Sequence, residues 1–368
     1  MGLNAAFYGI VRLDGKYFTS VMKKIILFLI LLSTIIISSS ATEYTAPDVP
    51  ESGELYMPED TQSFSEGLLF VLGSALKHIA PDAADALKVC VKILLLFLLV
   101  SIVDTVQGQH SMVVHLAASV MLGIIMLQPA STFFQLAFQT INDMTQYGKL
   151  LIPVMSAALA AQGGITSSAA LYAGTTIFIS VLSLVISSII IPLLYIYLCL
   201  SICCGALGDK TLCTIRDFIK WLVTWTLKII LYVFTGYISI TGVITGTTDA
   251  SALKAAKLAI SGTVPVVGSI ISDASDTVLI SAGFMKNTAG IYGIIAVIAV
   301  FIGPFLKIGI QYIALKLTAG ICVTYGGREE VNVLNDCAKA MGLALGSIGA
   351  MCLMLLVGIV CFIKGVSL

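Results

Sequence analysis

Forty consecutive residues, 169–208, form one unbroken apolar tract, and a second tract covers 290–325. As a helix rising about 1.5 Å per residue, the first would reach roughly 60 Å, twice a hydrocarbon core of roughly 30 Å. The rest of the chain cannot shield such tracts from water. Of its 368 residues 58% are hydrophobic and 11% charged, whereas a soluble domain carries about 25% charged residues. Lipid must cover much of the surface. Formal net charge is zero, so no basic field points to nucleic acid.

Four further apolar runs lie at 89–106, 112–128, 221–246 and 340–363. The expected fold is an all-α, polytopic helical membrane protein of about six crossings, with re-entrant or interfacial segments as an added option. The tight link Gln107–Ser111 makes the first two runs a hairpin. Pro192 and Pro304 should kink the two long tracts, so that each crosses once. Loop charge gives the sidedness. Lys210, Arg216 and Lys220 make 209–220 the densest basic loop, and loops of that kind stay in the cytoplasm. Arg328 and Lys339 give 326–339 a weaker signal of the same sign. Both fit a chain that starts outside at residue 42.

The N-terminal part supports that start. Met22-Lys23-Lys24, an apolar run Ile25 to Ile37 and the small residues Ser38 to Ala41 have the parts of a secretory signal. Residues 1–21 then read as an upstream mis-called extension with Met22 as the start; an uncleaved anchor is the alternative. Segment 42–87 holds nine carboxylates against Lys77 alone, as expected for an extracytoplasmic region. Within it Leu68, Leu69, Leu72 and Leu76 recur at helical spacing, marking an amphipathic helix on the membrane or docked on the bundle. Residues 88–368 form the membrane domain.

Chemistry-bearing motifs are few. Cys204 and most other cysteines sit in or beside apolar runs and read as small buried hydrophobes. His78, His110 and His115 have no zinc spacing. Gly208-Asp209-Lys210-Thr211 lacks the glycine before the lysine that a phosphate-binding loop needs. The expectation is a non-enzyme without metal or cofactor. Lys307 and Lys316 follow the Pro304 kink and read as polar anchors, Lys228 as a snorkelling cation, Asp104 as interfacial. Pro153 precedes Pro192 by the same spacing as Pro265 precedes Pro304, which hints at two halves, each opened by a Pro-started segment.

The most unusual stretch is 259–293. Ser269, Ser272, Asp273 and Asp276 share one helical face, with apolar residues opposite. They could line an aqueous path; the pattern alone favours the wet side of an interfacial helix, which amphipathicity suffices to explain. Ala338, Gly342, Gly346 and Ala350, each four apart, form a small-residue seam suited to close helix contact.

Two stretches resemble the stage III sporulation protein AE family of endospore-forming bacteria: Leu150 to Gly164, reading LLIPVMSAALAAQGG, and VPVVGSIISDASDTV…KNTAG…G from Val264 to Gly293. Asp273, Asp276, Lys286 and Asn287 match the family's motif. The loop Tyr325-Gly326-Gly327-Arg328-Glu329-Glu330 departs from the family's pattern there. The resemblance implies a mother-cell protein in the membrane around the engulfed forespore. It also implies a secretion-like complex with other stage III sporulation proteins of the same operon, a secretion-type ATPase among them, and a forespore partner. There the chain would be a permease-like channel or export-gate subunit needed for late forespore development. An autonomous secondary transporter, a non-conducting scaffold and a homo-oligomer remain open alternatives.

Overall fold

Runs of apolar residues this long, with few breaks, give long helices, because in lipid each backbone N–H and C=O must be satisfied within its own segment. The computed structural model describes residues 47–58, 64–107, 112–263, 268–324 and 327–365, with the side chains of 242–282 and a few single residues outside that set. The expected signal and the start at Met22 lie outside the described residues. All the described secondary structure is helical, without strands. In chain order the helices are α1 (Glu51–Glu54), α2 (Phe64–Lys77), α3 (Ile79–Gln107), α4 (Met112–Ala161), α5 (Ile165–Val185), α6 (Ile191–Leu207), α7 (Lys210–Thr263), α8 (Gly268–Cys322) and α9 (Arg328–Lys364). Among the described residues six stretches are long and apolar enough to cross a membrane: Ile79–Val103, Val113–Ala161, Ile165–Leu207, Lys210–Thr241, Lys286–Cys322 and Glu329–Lys364.

The tract 169–208 crosses once, through α5 and α6. Between them Ile186–Ile190 forms a π-helical turn. It lies immediately ahead of Pro192, whose missing N–H and bulky ring disrupt the ordinary hydrogen-bond ladder. Pro304 sits inside α8 and Pro129 and Pro153 inside α4, each helix continuing through. The stretch from Pro153, expected to be a short Pro-started segment, is instead the last part of a 50-residue helix. An interior proline costs one backbone bond but does not end a helix whose neighbours hold it in line. Pro265 lies outside the described residues.

Gly208, with φ 65°, turns α6 into α7. Gly163, with φ 90°, turns α4 into α5. Such φ values are open to glycine without a Cβ clash. The first turn and the α8–α9 connection lie at one end of the bundle, here the basal end; Gly163 and the end of α9 lie at the other, the distal end.

α9 runs through the centre, against α8, α4 and α6. Along it Met341, Ala344, Ile348, Met351, Leu355 and Ile359 are at most 1% exposed. α3 and α7 are peripheral, and expose Leu95, Leu99, Ile102, Ile229 and Tyr232. Lipid is as apolar as leucine, so hydrophobicity alone does not hold such helices together; close packing does. Interior hydroxyls return their protons to the preceding turn, as Thr145 does to the Ile141 carbonyl at 2.6 Å and Ser201 to that of Tyr197 at 2.8 Å.

α2 docks on the bundle, but with another face than the leucine spacing suggested. Gly67, Val71 and Ala75 are buried, and Val71 and Ala75 pack with Ile295, Ala299 and Ile302 of α8. Leu69 and Leu76 point outward at 70% and 63% exposure. Small side chains admit a close helix, and the leucines are left for the surroundings. Ahead of it α1 straps α8: a Cβ on Gly53 would lie 2.7 Å from Val300, and one on Gly303 2.7 Å from Tyr56. Ser52 donates to Asp143 of α4 at 2.7 Å, and Lys307 pairs with Asp82 at 3.2 Å. Burial, then the Asp82 carboxylate, raises the Tyr56 phenol above its ordinary range, so Tyr56 stays neutral.

Candidate functional site: polar junctions at the two ends of the bundle

At the distal end, α4 finishes against the middle of α8 and the last turn of α9. A Cβ on Gly290 would fall 2.5 Å from Ile363 and 3.2 Å from Met155, and Gly293 abuts Leu151. Gly283 faces the Gln162 amide, and Leu159 covers Gly365 at 3.0 Å from where its Cβ would be. Thus 150–164 and 283–293, remote in sequence, form one junction. Ser168 donates to the Ser156 carbonyl at 2.6 Å and closes the α4–α5 turn.

Lys286 lies at the heart of this junction. It is 4% exposed, and its Nζ donates to the Gly365 carbonyl at 3.0 Å. The last carbonyls of a helix lack intrahelical partners and carry partial negative charge, so a lysine there caps the helix. Asn287, beside it, is exposed. Lys286→Met, which keeps the apolar stem, should destabilise the α9 terminus by about 1–3 kcal/mol. Faster protease trimming at the C-terminus of the purified variant would register the loss, and an unchanged trimming rate would refute it.

Ser269, Ser272, Asp273 and Asp276 stand on the first turns of α8, continuous with the distal junction; their side chains lie outside the described residues. The stripe belongs to the same continuous helix as the apolar stretch Lys286–Cys322. Of the small-residue seam, Ala338 and Ala350 are buried. A Cβ on Gly342 would lie 3.3 Å from Tyr312 of α8, while Gly346 has open space around it.

The basal end holds a charged cluster that sequence spacing did not disclose. Asp336 of α9, 2% exposed, pairs with Arg216 of α7 and with Lys339 at 2.8 Å. The Tyr197 hydroxyl of α6 donates to it at 3.4 Å. Arg216 also holds Asp217 at 3.0 Å. A cavity of about 190 Å³ opens beside the cluster, reached by Ser201, Cys204 and Glu329. His115 of α4 meets Glu330 at 2.6 Å, and Lys316 of α8 donates to Asn335 at 3.0 Å. Four helices are tied to the start of α9 in this way. Lys307 and Lys316 thus serve as anchors, each with a named partner; Lys228 rests 5.9 Å from the Trp225 ring. The side chain of Asp104 lies outside the described residues.

One cysteine expectation is corrected. Cys204 and Cys213 form a disulfide across the α6–α7 turn, with Cα atoms 5.3 Å apart. The left-handed Gly208 folds the two helices back on each other and brings the sulfurs together. Position at the edge of an apolar run, which suggests a small buried hydrophobe, does not disclose this pairing of Cys204.

A family model described as stage III sporulation protein AE matches residues 62–365. The curated "Stage III sporulation protein AE" of Bacillus subtilis (strain 168) is 28% identical over 236 residues, which cover 63% of this chain and 59% of that protein's length. No solved structure matches.

Proposed function

Because the chain belongs to the stage III sporulation protein AE family, we propose that it is the channel or export-gate subunit of a multiprotein sporulation complex. It acts in the mother-cell membrane around the engulfed forespore and is needed for late forespore development. Its partners are the other stage III proteins of the same operon, a secretion-type ATPase among them, and a forespore protein. The observation that carries this reading is the distal junction. Leu150–Gly164 and the 283–293 part of the second stretch that resembles the family pack into one joint, and the Asp273 and Asp276 stripe lies earlier on the same helix. Basic residues orient the joint: the basal ends of α7 and α9 carry Lys210, Arg216, Lys220 and Lys339, and bases flanking a crossing favour the cytoplasmic side. The distal end then faces the space between the membranes.

The centre of the single chain is filled by α9, so a path for cargo runs between subunits and not along the axis of one. An autonomous transporter would need a central site of its own. A non-conducting scaffold is the stronger rival, since a solid core suits it equally. Single cysteines at Ser269, Ser272, Asp273 and Asp276, with Ile270 and Ala274 as controls, separate the two in a cysteine-free background. Labelling by a membrane-impermeant reagent confined to the stripe and dependent on the assembled complex supports the path. Equal labelling with and without partners supports the scaffold. In parallel, Asp273→Ala with Asp276→Ala should abolish spore formation at unchanged protein level. Normal spore yield in that double variant would sink the pore-lining role.

A further inference from the structure

The chain has two tryptophans, and both stand near the start of α7. Trp221 and Trp225 are 53% and 45% exposed. Their ring centroids lie 6.2 Å apart, and Phe218 stacks on Trp221 at 5.8 Å. Together the three rings make an aromatic ledge on the outside of the bundle. Beside it, between α7 and α9, lies a groove of about 480 Å³ lined by Arg216, Asp217, Lys220 and Lys339 as well as the two tryptophans. Asp217 and Asp336 already engage Arg216, and Asp336 engages Lys339. Three cations thus share two carboxylates. Lys220 is the unmatched one, without an ion pair among the described residues, and it projects from the turn that carries Trp221.

We infer that this groove binds the phosphate of an anionic phospholipid from the leaflet at the basal end, with Lys220 as the principal contact. Three observations favour a lipid over a soluble anion. Tryptophan rings concentrate at the level where headgroup meets acyl chain. Below the ledge the same face of α7 continues into exposed Ile229, Tyr232 and Val233, a ready track for an acyl chain. Lastly, the unmatched charge is positive, and a basic side chain near a membrane surface favours anionic over zwitterionic lipid. The choline ammonium of a zwitterionic lipid brings its own cation, which Lys220 and Lys339 repel. The inference holds whether the chain conducts or only scaffolds.

The tryptophans report on the site without any label. The full chain is reconstituted in bilayers containing either brominated phosphatidylglycerol or brominated phosphatidylcholine at equal bromine content, and emission quenching is compared. The expected result is about fivefold preferential association of the anionic lipid, the ratio one basic side chain supplies. That preference should fall close to unity in Lys220→Gln and persist in Lys220→Arg. Equal quenching by both lipids in the unaltered protein would overturn the inference, as would a preference untouched by Lys220→Gln. If excess inorganic phosphate, at ionic strength matched with chloride, erased the preference, the groove would belong to a soluble anion, and the lipid assignment would fall.

Discussion

Asp336→Ala is expected to destabilise the bundle by about 3–5 kcal/mol, the range for breaking a buried ion pair from one side. The carboxylate is 2% exposed and receives Arg216, Lys339 and the Tyr197 hydroxyl. Without it the Arg216 guanidinium, itself 13% exposed, keeps a weak contact to Cys204 Sγ and, as its charged partner, Asp217, whose side chain is 62% exposed and whose attraction water screens. Thermal unfolding in nanodiscs would show the loss as a markedly lowered midpoint. Removing both charges should cost far less, because well-packed apolar groups replace a buried pair nearly neutrally. The double variant Arg216→Met with Asp336→Leu should therefore unfold well above Asp336→Ala. If the single variant unfolded with the parent, the cluster would hold nothing together.

Gly205→Ala is the second large effect. Its new Cβ would press on Cγ2 of Val333, inside contact distance, with the Glu329 carbonyl 3.5 Å away. Valine is stiff at χ1 and cannot swing clear as a longer side chain would. Overpacking of this kind costs about 1–3 kcal/mol, offset only partly by alanine's better helix propensity. Adding Val333→Ala should restore much of the loss. Gly346→Ala is the counterpart, with nothing within 4 Å of its Cβ, and should be neutral or slightly stabilising. Midpoints that ranked these two glycines in the opposite order would contradict the packing described.

The contrast between those glycines shows what the sequence could disclose. Gly342 and Gly346 advertise themselves by their spacing, yet one of them faces open space. Gly205 has no pattern around it, and its need for a bare backbone comes from Val333, which folding brings against it. The crossings, by contrast, were legible because membrane insertion depends on the local run of side chains, and α5 with α6 behaves as one apolar tract in any context. The Arg216–Asp336 pair joins residues far apart in the chain. On paper Arg216 is one of three bases in a loop, and its partner is one acid among several near the start of α9. Lys286 was found only through resemblance. Nothing in a lysine before an asparagine says that the closing carbonyls of α9 will lie beside it. The α2 leucines misled for a related reason: spacing shows that a helix has two faces but not which one a neighbour takes.

α4 runs without interruption from the His115–Glu330 contact to the Gln162 joint. At about 1.5 Å per residue, its 50 residues measure about 75 Å. Mechanically it is a lever whose length exceeds the membrane it crosses. Rocking it about its basal foot by about 5° would swing its far tip by roughly 6 Å, more than the diameter of a water molecule. A small displacement near the foot would thus arrive amplified at the far tip, without any rearrangement along the shaft.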